Sequence, residues 1–246
     1  KFAGSYFGVV WAFIQPVITV LLYWFVFEFG LHQKVNDLRT GIEVPFVLWL
    51  MGGLVPWFYF QEALNGGTGV LDEYSYLVKK VVFQIDALPV VKLISALFTH
   101  AFFVVFMLVV FAVMGFYPDL YVLQIVYYSF CMVILTAGLI YATSAVTVFF
   151  RDMKEVVSIL LQIGMWVTPI MWNFESMQGI PKWAVLLLKL NPMYYIVSGY
   201  RDALINKTAF WEHPGLTLWF WGITLFTLWA GTTVFKRLRV HFADVL

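Results

Sequence analysis

Charge is scarce in this chain. Only 12% of its 246 residues are Asp, Glu, Lys or Arg, while 62% are hydrophobic and mean hydropathy is +0.86. An ordinary soluble domain carries about 25% charged residues. A water-soluble core of this size has no room for so much apolar surface, so the composition specifies an integral membrane protein. Acids and bases nearly balance, with a net charge of +1, which leaves no basic footprint for nucleic acid. Cys131 is the only cysteine, which excludes an intrachain disulfide. Inside an apolar run it reads as a small packing residue. The chain begins at Lys1 rather than Met, so a segment upstream is expected, and no cleavable signal peptide is visible.

Chemistry is scarce as well. There is no GxxxxGK[ST] phosphate loop. Asn65-Gly66-Gly67-Thr68-Gly69 is rich in glycine but lacks the Lys and following hydroxyl that hold phosphate and magnesium, and it reads as a flexible turn. His32, His100, His213 and His241 are far apart and match no metal spacing; His100 reads as a packed, hydrogen-bonded residue. Almost all carboxylates fall in loops or at the ends of apolar runs, with Glu28 the nearest to an exception. Proton- and sodium-driven transporters place acids near the bilayer centre, and no clear one is present. No nucleophile sits beside a base in the pattern an intramembrane hydrolase needs. If the protein moves a substrate uphill, the energy must come from a partner.

Long apolar runs are what the chain does have. At 1.5 Å per residue, about 20 residues cross a hydrocarbon core of roughly 30 Å. Six runs qualify as spans: about Val9–Phe29, Val44–Phe60, Val90–Met114, Leu120–Phe150, Val156–Trp172 and Leu216–Phe235. The fold expected is an all-α integral membrane protein, one transmembrane domain over residues 1–246. The polar loop 32–43 follows the first span. Leu71–Phe83 mixes acids, tyrosines and Lys79-Lys80 with apolar residues, as a short amphipathic helix along the membrane surface does. Small residues from Ala137 to Ala145 allow close approach of a neighbouring helix. After Thr168-Pro169 the chain breaks into two pieces, each too short to cross, with Asn191-Pro192 between them. They read as a re-entrant helical pair between the fifth and sixth spans.

Six spans put both termini on one side. Placing them inside gives nine inner cations (Lys1, Lys79, Lys80, Lys92, Arg151, Lys154, Lys236, Arg237, Arg239) against six outer ones (Lys34, Arg39, Lys182, Lys189, Arg201, Lys207). The positive-inside bias favours cytoplasmic termini.

Three patterns now resemble a known family. Gly4-Ser5-Tyr6-Phe7-Gly8-Val9-Val10-Trp11 with Pro16 downstream is one. Phe149-Phe150-Arg151-Asp152 followed by Thr168-Pro169-Ile170 is the second. Leu190-Asn191-Pro192 with Arg201 nine residues after the proline is the third. Together they resemble the permease subunit of ABC-2 type exporters for lipid-linked polysaccharides, the family of O-antigen, capsule and teichoic acid export. The resemblance implies a homodimer in a bacterial cell membrane, with two copies of a separate ATPase subunit docked underneath. This chain would carry no cofactor; ATP and magnesium would sit on the partner. The cargo would be a glycan on undecaprenyl diphosphate.

Within that resemblance, Leu71–Phe83 becomes a cytoplasmic coupling helix between the second and third spans. Asp72, Glu73, Tyr74 and Tyr76 would meet the ATPase, joined by exposed Lys154 and Glu155. Arg151 and Asp152 are adjacent and do not face each other on a helix, so Arg151 is expected at lipid phosphate or at another inner loop, or as a positive-inside anchor. Phe58, Tyr59, Trp166, Trp172, Tyr194 and Tyr195 are candidates for a substrate path. Aromatic faces stack on flat C–H faces of sugars, by analogy with other polymers; the same rings also suit a lipid-interface belt. Lys189 and Arg201 are expected at the carrier diphosphate or at outer headgroups. The competing readings are an ABC-2 permease for a drug or lipid, an intramembrane enzyme acting on polyprenyl-linked sugars, and a channel or structural subunit.

Overall fold

The computed structural model describes residues 10–30, 35–36, 43–78, 84–172 and 179–245. The motif at Gly4–Val9, most of the loop 32–43 and the stretch Lys79–Phe83 lie outside the described residues. Apart from connecting turns and loops, the described residues are helical except for a two-residue antiparallel ladder, β1 (Val35–Asn36) on β2 (Glu43–Val44).

Helix α1 (Trp11–Trp24) runs into a π-helical turn at Phe25–Gly30. Then follow α2 (Phe46–Thr68), two four-residue helices α3 (Val70–Glu73) and α4 (Ser75–Val78), and α5 (Ala87–Val113). The second half holds α6 (Gln124–Phe149), α7 (Met153–Val167), α8 (Lys182–Leu190), α9 (Pro192–Arg201), α10 (Pro214–Leu238) and α11 (Phe242–Val245). Four segments are long and apolar enough to cross a membrane: Phe13–Gly30, Ala87–Val113, Leu120–Phe149 and Pro214–His241. The protein is an all-α, multi-pass membrane protein.

The bundle is built around α2 and α6. Helix α2 touches α1, α5, α6, α7 and α9, and Leu48, Leu50 and Leu54 along it are wholly buried. A helix apolar on every side is a central post rather than a surface element. It also runs eight residues past the expected end at Phe60. Gln61 to Thr68 are helical, and Gly66-Gly67-Thr68 belong to the last turns of α2, not to a flexible turn. Packing explains the difference: a Cβ on Gly67 would lie 2.6 Å from the Ile140 side chain. The glycine lets α6 approach, and the Thr68 hydroxyl bonds the Leu64 carbonyl (2.7 Å) and the Thr143 hydroxyl (2.9 Å).

Helices α6 and α10 form the most extensive pair. Their crossing depends on two glycines: a Cβ on Gly231 would lie 2.0 Å from the Gly138 carbonyl oxygen, and one on Gly138 would lie 2.7 Å from the Leu228 nitrogen. Small residues at a crossing bring backbones together where lipid supplies no hydrophobic drive between helices.

Prolines set several helix ends. Pro89 sits in the first turn of α5, where its missing N–H costs nothing, so that helix starts earlier than expected. Helix α7 stops at Val167 rather than Trp172 because Pro169 holds Thr168 extended (φ −74°, ψ 126°). At 15 residues, α7 is about 22 Å long. Helices α8 and α9 have 9 and 10 residues and are shorter still.

A break in a helix inside an apolar bundle strands backbone carbonyls, and each must find a donor. Arg201, at the end of α9, supplies it. Its Nη1 donates to the Pro169 carbonyl (2.7 Å), its Nη2 to the Ile170 carbonyl (2.8 Å) and its Nε to the Trp49 carbonyl (3.3 Å). The guanidinium lies 3.4 Å from the centre of the Trp49 ring. Gly52 and Gly53 make the space: a Cβ on Gly53 would meet Nη2 at 2.9 Å. Asn191 completes the seam, donating from Nδ2 to the Thr168 hydroxyl (2.8 Å) and capping α9 through Oδ1 at the Met193 N–H (3.0 Å).

Two outcomes are expected from thermal unfolding in detergent. Gly231→Leu forces α6 and α10 apart and lowers stability by about 1–3 kcal/mol or more, as overpacking does. Gly222→Ala on the same helix, where nothing lies within 4 Å, leaves stability unchanged or raised; equal losses at both sites contradict the packing account. Arg201→Met leaves two buried carbonyls without their donors at about 1–3 kcal/mol each. Arg201→Lys recovers less than half of that loss, because an ammonium lacks the planar fork; full recovery by Lys rules out the fork.

Candidate functional site

The sequence-predicted residues fall into three places. The first is the end of the bundle where α2 meets α3 and α6 meets α7. Val70 and Leu71 are buried with Leu88, Val148, Phe235 and Phe242 in a small apolar cluster of their own. The stretch expected to form a coupling helix is therefore not one amphipathic helix. Among the described residues it is two four-residue helices, the first pinned by its apolar side. Gly69 and Tyr74 interrupt the run.

Charge ties this element to its neighbours. Asp72 pairs with Lys154 (2.6 Å) and Glu73 with Lys92 (2.7 Å). The Lys92 ammonium also lies 5.4 Å from the centre of the Tyr74 ring, which faces Tyr76 at 6.4 Å. Asp86 binds Arg239, and its backbone carbonyl accepts from the Tyr141 hydroxyl (3.0 Å). Lys154, expected to be exposed with Glu155, is exposed, and it also bridges the first turn of α7 to α3. The pairing follows from geometry: Gly69 lets the Lys154 chain pass, since a Cβ there would sit 3.2 Å from Cε. Partly exposed pairs such as these are worth about 0–1 kcal/mol each, so they fix orientation more than stability. Glu155, Arg151 and Tyr76 remain exposed.

The second place is the aromatic set, and the structure does not bring its six members together. Phe58 and Tyr59 line a cavity of about 400 Å³ between α1, α2 and α5. Phe58 packs edge-on to Phe103 at 6.2 Å. Trp166 is exposed at the end of α7, and Trp172 donates to its carbonyl (2.9 Å). Tyr194 and Tyr195 do not stand on an open path: both are buried. Pro192 starts α9 and aims it into the core. There the Tyr195 hydroxyl shares bonds with Tyr127 (3.1 Å) and Thr217 (3.0 Å), and its ring stacks on Phe220 at 4.7 Å.

The third place is the expected phosphate trio, which is dispersed. Arg151 lies at the turn before α7. Lys189 lies in the last turn of α8, near the other end of α7. Arg201 is 7% exposed and its fork is engaged by backbone carbonyls, so it meets neither diphosphate nor headgroups here. Its burial follows from the stranded carbonyls at Pro169 and Ile170, which need its donors more than a hydrated surface does.

The sequence reading of His100 as a packed residue agrees with the structure: Nε2 contacts the Tyr200 hydroxyl (2.9 Å) and the Ser129 hydroxyl (3.3 Å). Cys131 is buried and unpaired. Glu62, read as a loop residue, stands within α2 beside Tyr59 and Gln61. The Tyr127–Tyr195–Thr217 network, joined by Trp221 Nε1 at 3.0 Å, was not anticipated; its members are scattered along the sequence and share no motif. Among the described residues no group of three or more His, Cys, Asp or Glu converges.

Comparison with known proteins follows the same lines. The family model of the ABC-2 type transporter matches residues 1–205. The chain is 26% identical over 244 residues to the O-antigen export system permease protein RfbA of Myxococcus xanthus, covering 99% of this chain and 90% of that protein. It is 25% identical over 251 residues to the protein of the same name from Klebsiella pneumoniae, covering 100% and 90%. It is 26% identical over 240 residues to the polysialic acid transport protein KpsM of Escherichia coli, covering 96% and 88%. With a family match over most of its length, the chain belongs to the ABC-2 type transporter family, and the relatives it matches are named as export permeases and transport proteins, which are transport subunits rather than enzymes.

Proposed function

We propose that this protein is the permease of an ATP-driven exporter that moves lipid-linked cell-surface polysaccharide, on undecaprenyl diphosphate, from the cytoplasmic to the outer side of a bacterial membrane. One observation carries the reading: similarity runs nearly end to end along permeases named for O-antigen export. The sequence has no phosphate loop, in keeping with ATP and magnesium held by a separate partner.

In this reading α1, α2, α5, α6, α7 and α10 make six crossings, and α8 and α9 re-enter from the outer side. Both termini are cytoplasmic, as the Lys/Arg bias favours. Two copies of the chain pair, and two ATPase subunits dock beneath them. The docking element is α3 with α4, presenting Glu73, Tyr74 and Tyr76, with Glu155 beside it. A push on α3 reaches α7 through the Asp72–Lys154 pair. Phe58, Tyr59, Trp166 and Trp172 border the glycan path, and Arg151 and Lys189 are the cations available to a diphosphate at either end. The cargo is of the O-antigen or teichoic acid type.

The test is reconstitution with the ATPase in proteoliposomes. Lipid-linked glycan stimulates ATP hydrolysis and appears on the outer side; a complex that ignores glycan and responds to a drug or free lipid overturns the reading. Asp72→Lys keeps basal hydrolysis but lowers coupled transport at least about tenfold, the effect of roughly 1.4 kcal/mol on a rate. Adding Lys154→Asp restores most of it. Failure of the swap to restore transport removes the pair from the coupling route.

A further inference from the structure

The segment after α10 turns back onto the bundle instead of running on from it. Helix α10 stops at Leu238, a single 3-10 turn follows at Arg239–His241, and α11 begins at Phe242. Arg239, Val240 and His241 are exposed, Val240 to 76%, whereas Phe242 is wholly buried. It lies with Val70 and Leu71 of α3 and with Leu88, Ala145, Val148 and Phe235, in a cluster separate from the main core. We propose that Phe242 is a positioning residue of the export cycle: it completes the socket that seats α3 on α6, so that a push on α3 moves the α6–α10 pair as well as α7. The inference rests on the coupling role given to α3 above and adds a second route to it.

Helix α3 cannot hold its own place. It has four residues, well short of the roughly 12–15 that an isolated helix needs in water. Its position is therefore set by what Val70 and Leu71 pack on. Phe235 and Phe242 are the bulkiest buried members of that cluster. Their rings meet edge to face at 5.5 Å, and Phe242 lies 6.1 Å from the Phe149 ring of α6. Such pairing fixes the direction of a ring as well as its distance. An ion pair holds the turn that delivers Phe242: Arg239 binds Asp86, just before α5. The Asp86 carbonyl accepts from the Tyr141 hydroxyl (3.0 Å), and the Tyr141 ring stands edge-on to Phe235 at 5.2 Å. These contacts close a loop from the end of α10 through α5 and α6 back to α10.

Two kinds of contact therefore leave α3. Asp72 reaches α7 through a partly exposed ion pair, and Val70 and Leu71 reach α6 through packing. Close-packed side chains compress little and pass a displacement on. Helix α6 in turn forms the most extensive pair of the bundle with α10, locked by Gly138 and Gly231. A pair locked in that way moves as a unit.

The test uses the full chain with its ATPase in proteoliposomes and reads lipid-linked glycan transported per ATP hydrolysed. Phe242→Ala lowers that ratio at least about tenfold, Phe242→Leu, which keeps an apolar filler, by less than about threefold, and Val240→Ala by less than about twofold. Maleimide labelling in opened membranes, in a Cys131→Ala background, separates seating from folding. Leu71→Cys, at a site 1% exposed, labels at least about tenfold faster once Phe242→Ala is added, as local opening requires. Leu48→Cys, in the main core, stays protected. An unmoved ratio, continued protection of Leu71→Cys, or equal labelling of Leu48→Cys, the mark of general unfolding, overturns the inference. If the wild-type complex transports glycan while these results fail, the seat is rejected and the export reading stands. If the wild-type complex moves no glycan, the export reading itself fails, and the labelling of Leu71→Cys still decides whether Phe242 seats α3.

Discussion

A lipid-embedded chain cannot leave backbone carbonyls without donors, and one guanidinium meets that requirement where this fold is most broken. Arg201 reaches the carbonyls of Pro169 and Ile170 just past the end of α7, and that of Trp49 inside α2. It thereby joins α2, α7 and α9 at one point. Several features that look unrelated serve this contact. Gly52 and Gly53 clear its volume, Trp49 offers a ring face, and Pro169 creates the carbonyls that need it. Taking a guanidinium out of water costs several kcal/mol, and charge-assisted bonds with a ring face offset it. Without that contact, the carbonyls freed just past the end of α7 lose their donors.

The two ends of the bundle are held differently. At one end, Asp72, Glu73 and Asp86 pair with Lys154, Lys92 and Arg239. These are partly exposed contacts, strong enough to set orientation and weak enough to rearrange. At the other end, tyrosine hydroxyls and stacked rings close the structure: Tyr127 stacks on Phe210 at 4.4 Å, and Tyr195 on Phe220 at 4.7 Å. Part of the aromatic excess is thus invested in a packed wall, while Trp166, Trp183, Trp211, Trp219 and Trp229 stay exposed. A loosely paired end and a tightly stacked end suit a protein that is pushed from one side.

The parts legible in the sequence were those encoded locally. The runs Ala87–Val113, Leu120–Phe149 and Pro214–His241 are read from hydropathy alone, and Asn191-Pro192 marks a helix start by capping chemistry. What escaped depends on distant partners. Gly66-Gly67-Thr68 resembles a turn until Ile140 is known to press on Gly67. Arg201 resembles a surface cation until the carbonyls it serves, 31 and 32 residues upstream, are seen beside it. Lys154 resembles a free docking charge until Asp72, far upstream, is found 2.6 Å away. Tyr194 and Tyr195 were placed on a path because their type suits sugars; the direction of α9, set by packing, puts them in the core.

The central claim is that the ion-paired end faces the cytosol and receives the push, while the end carrying α8 faces outward. Labelling with a membrane-impermeant maleimide tests it most directly, using single cysteines at Tyr76 and Trp183 in a Cys131→Ala background. Both side chains are well exposed, at 58% and 66%. The account predicts that Trp183→Cys labels in intact cells and that Tyr76→Cys labels only after the inner face is opened. Labelling of Tyr76→Cys from outside contradicts it.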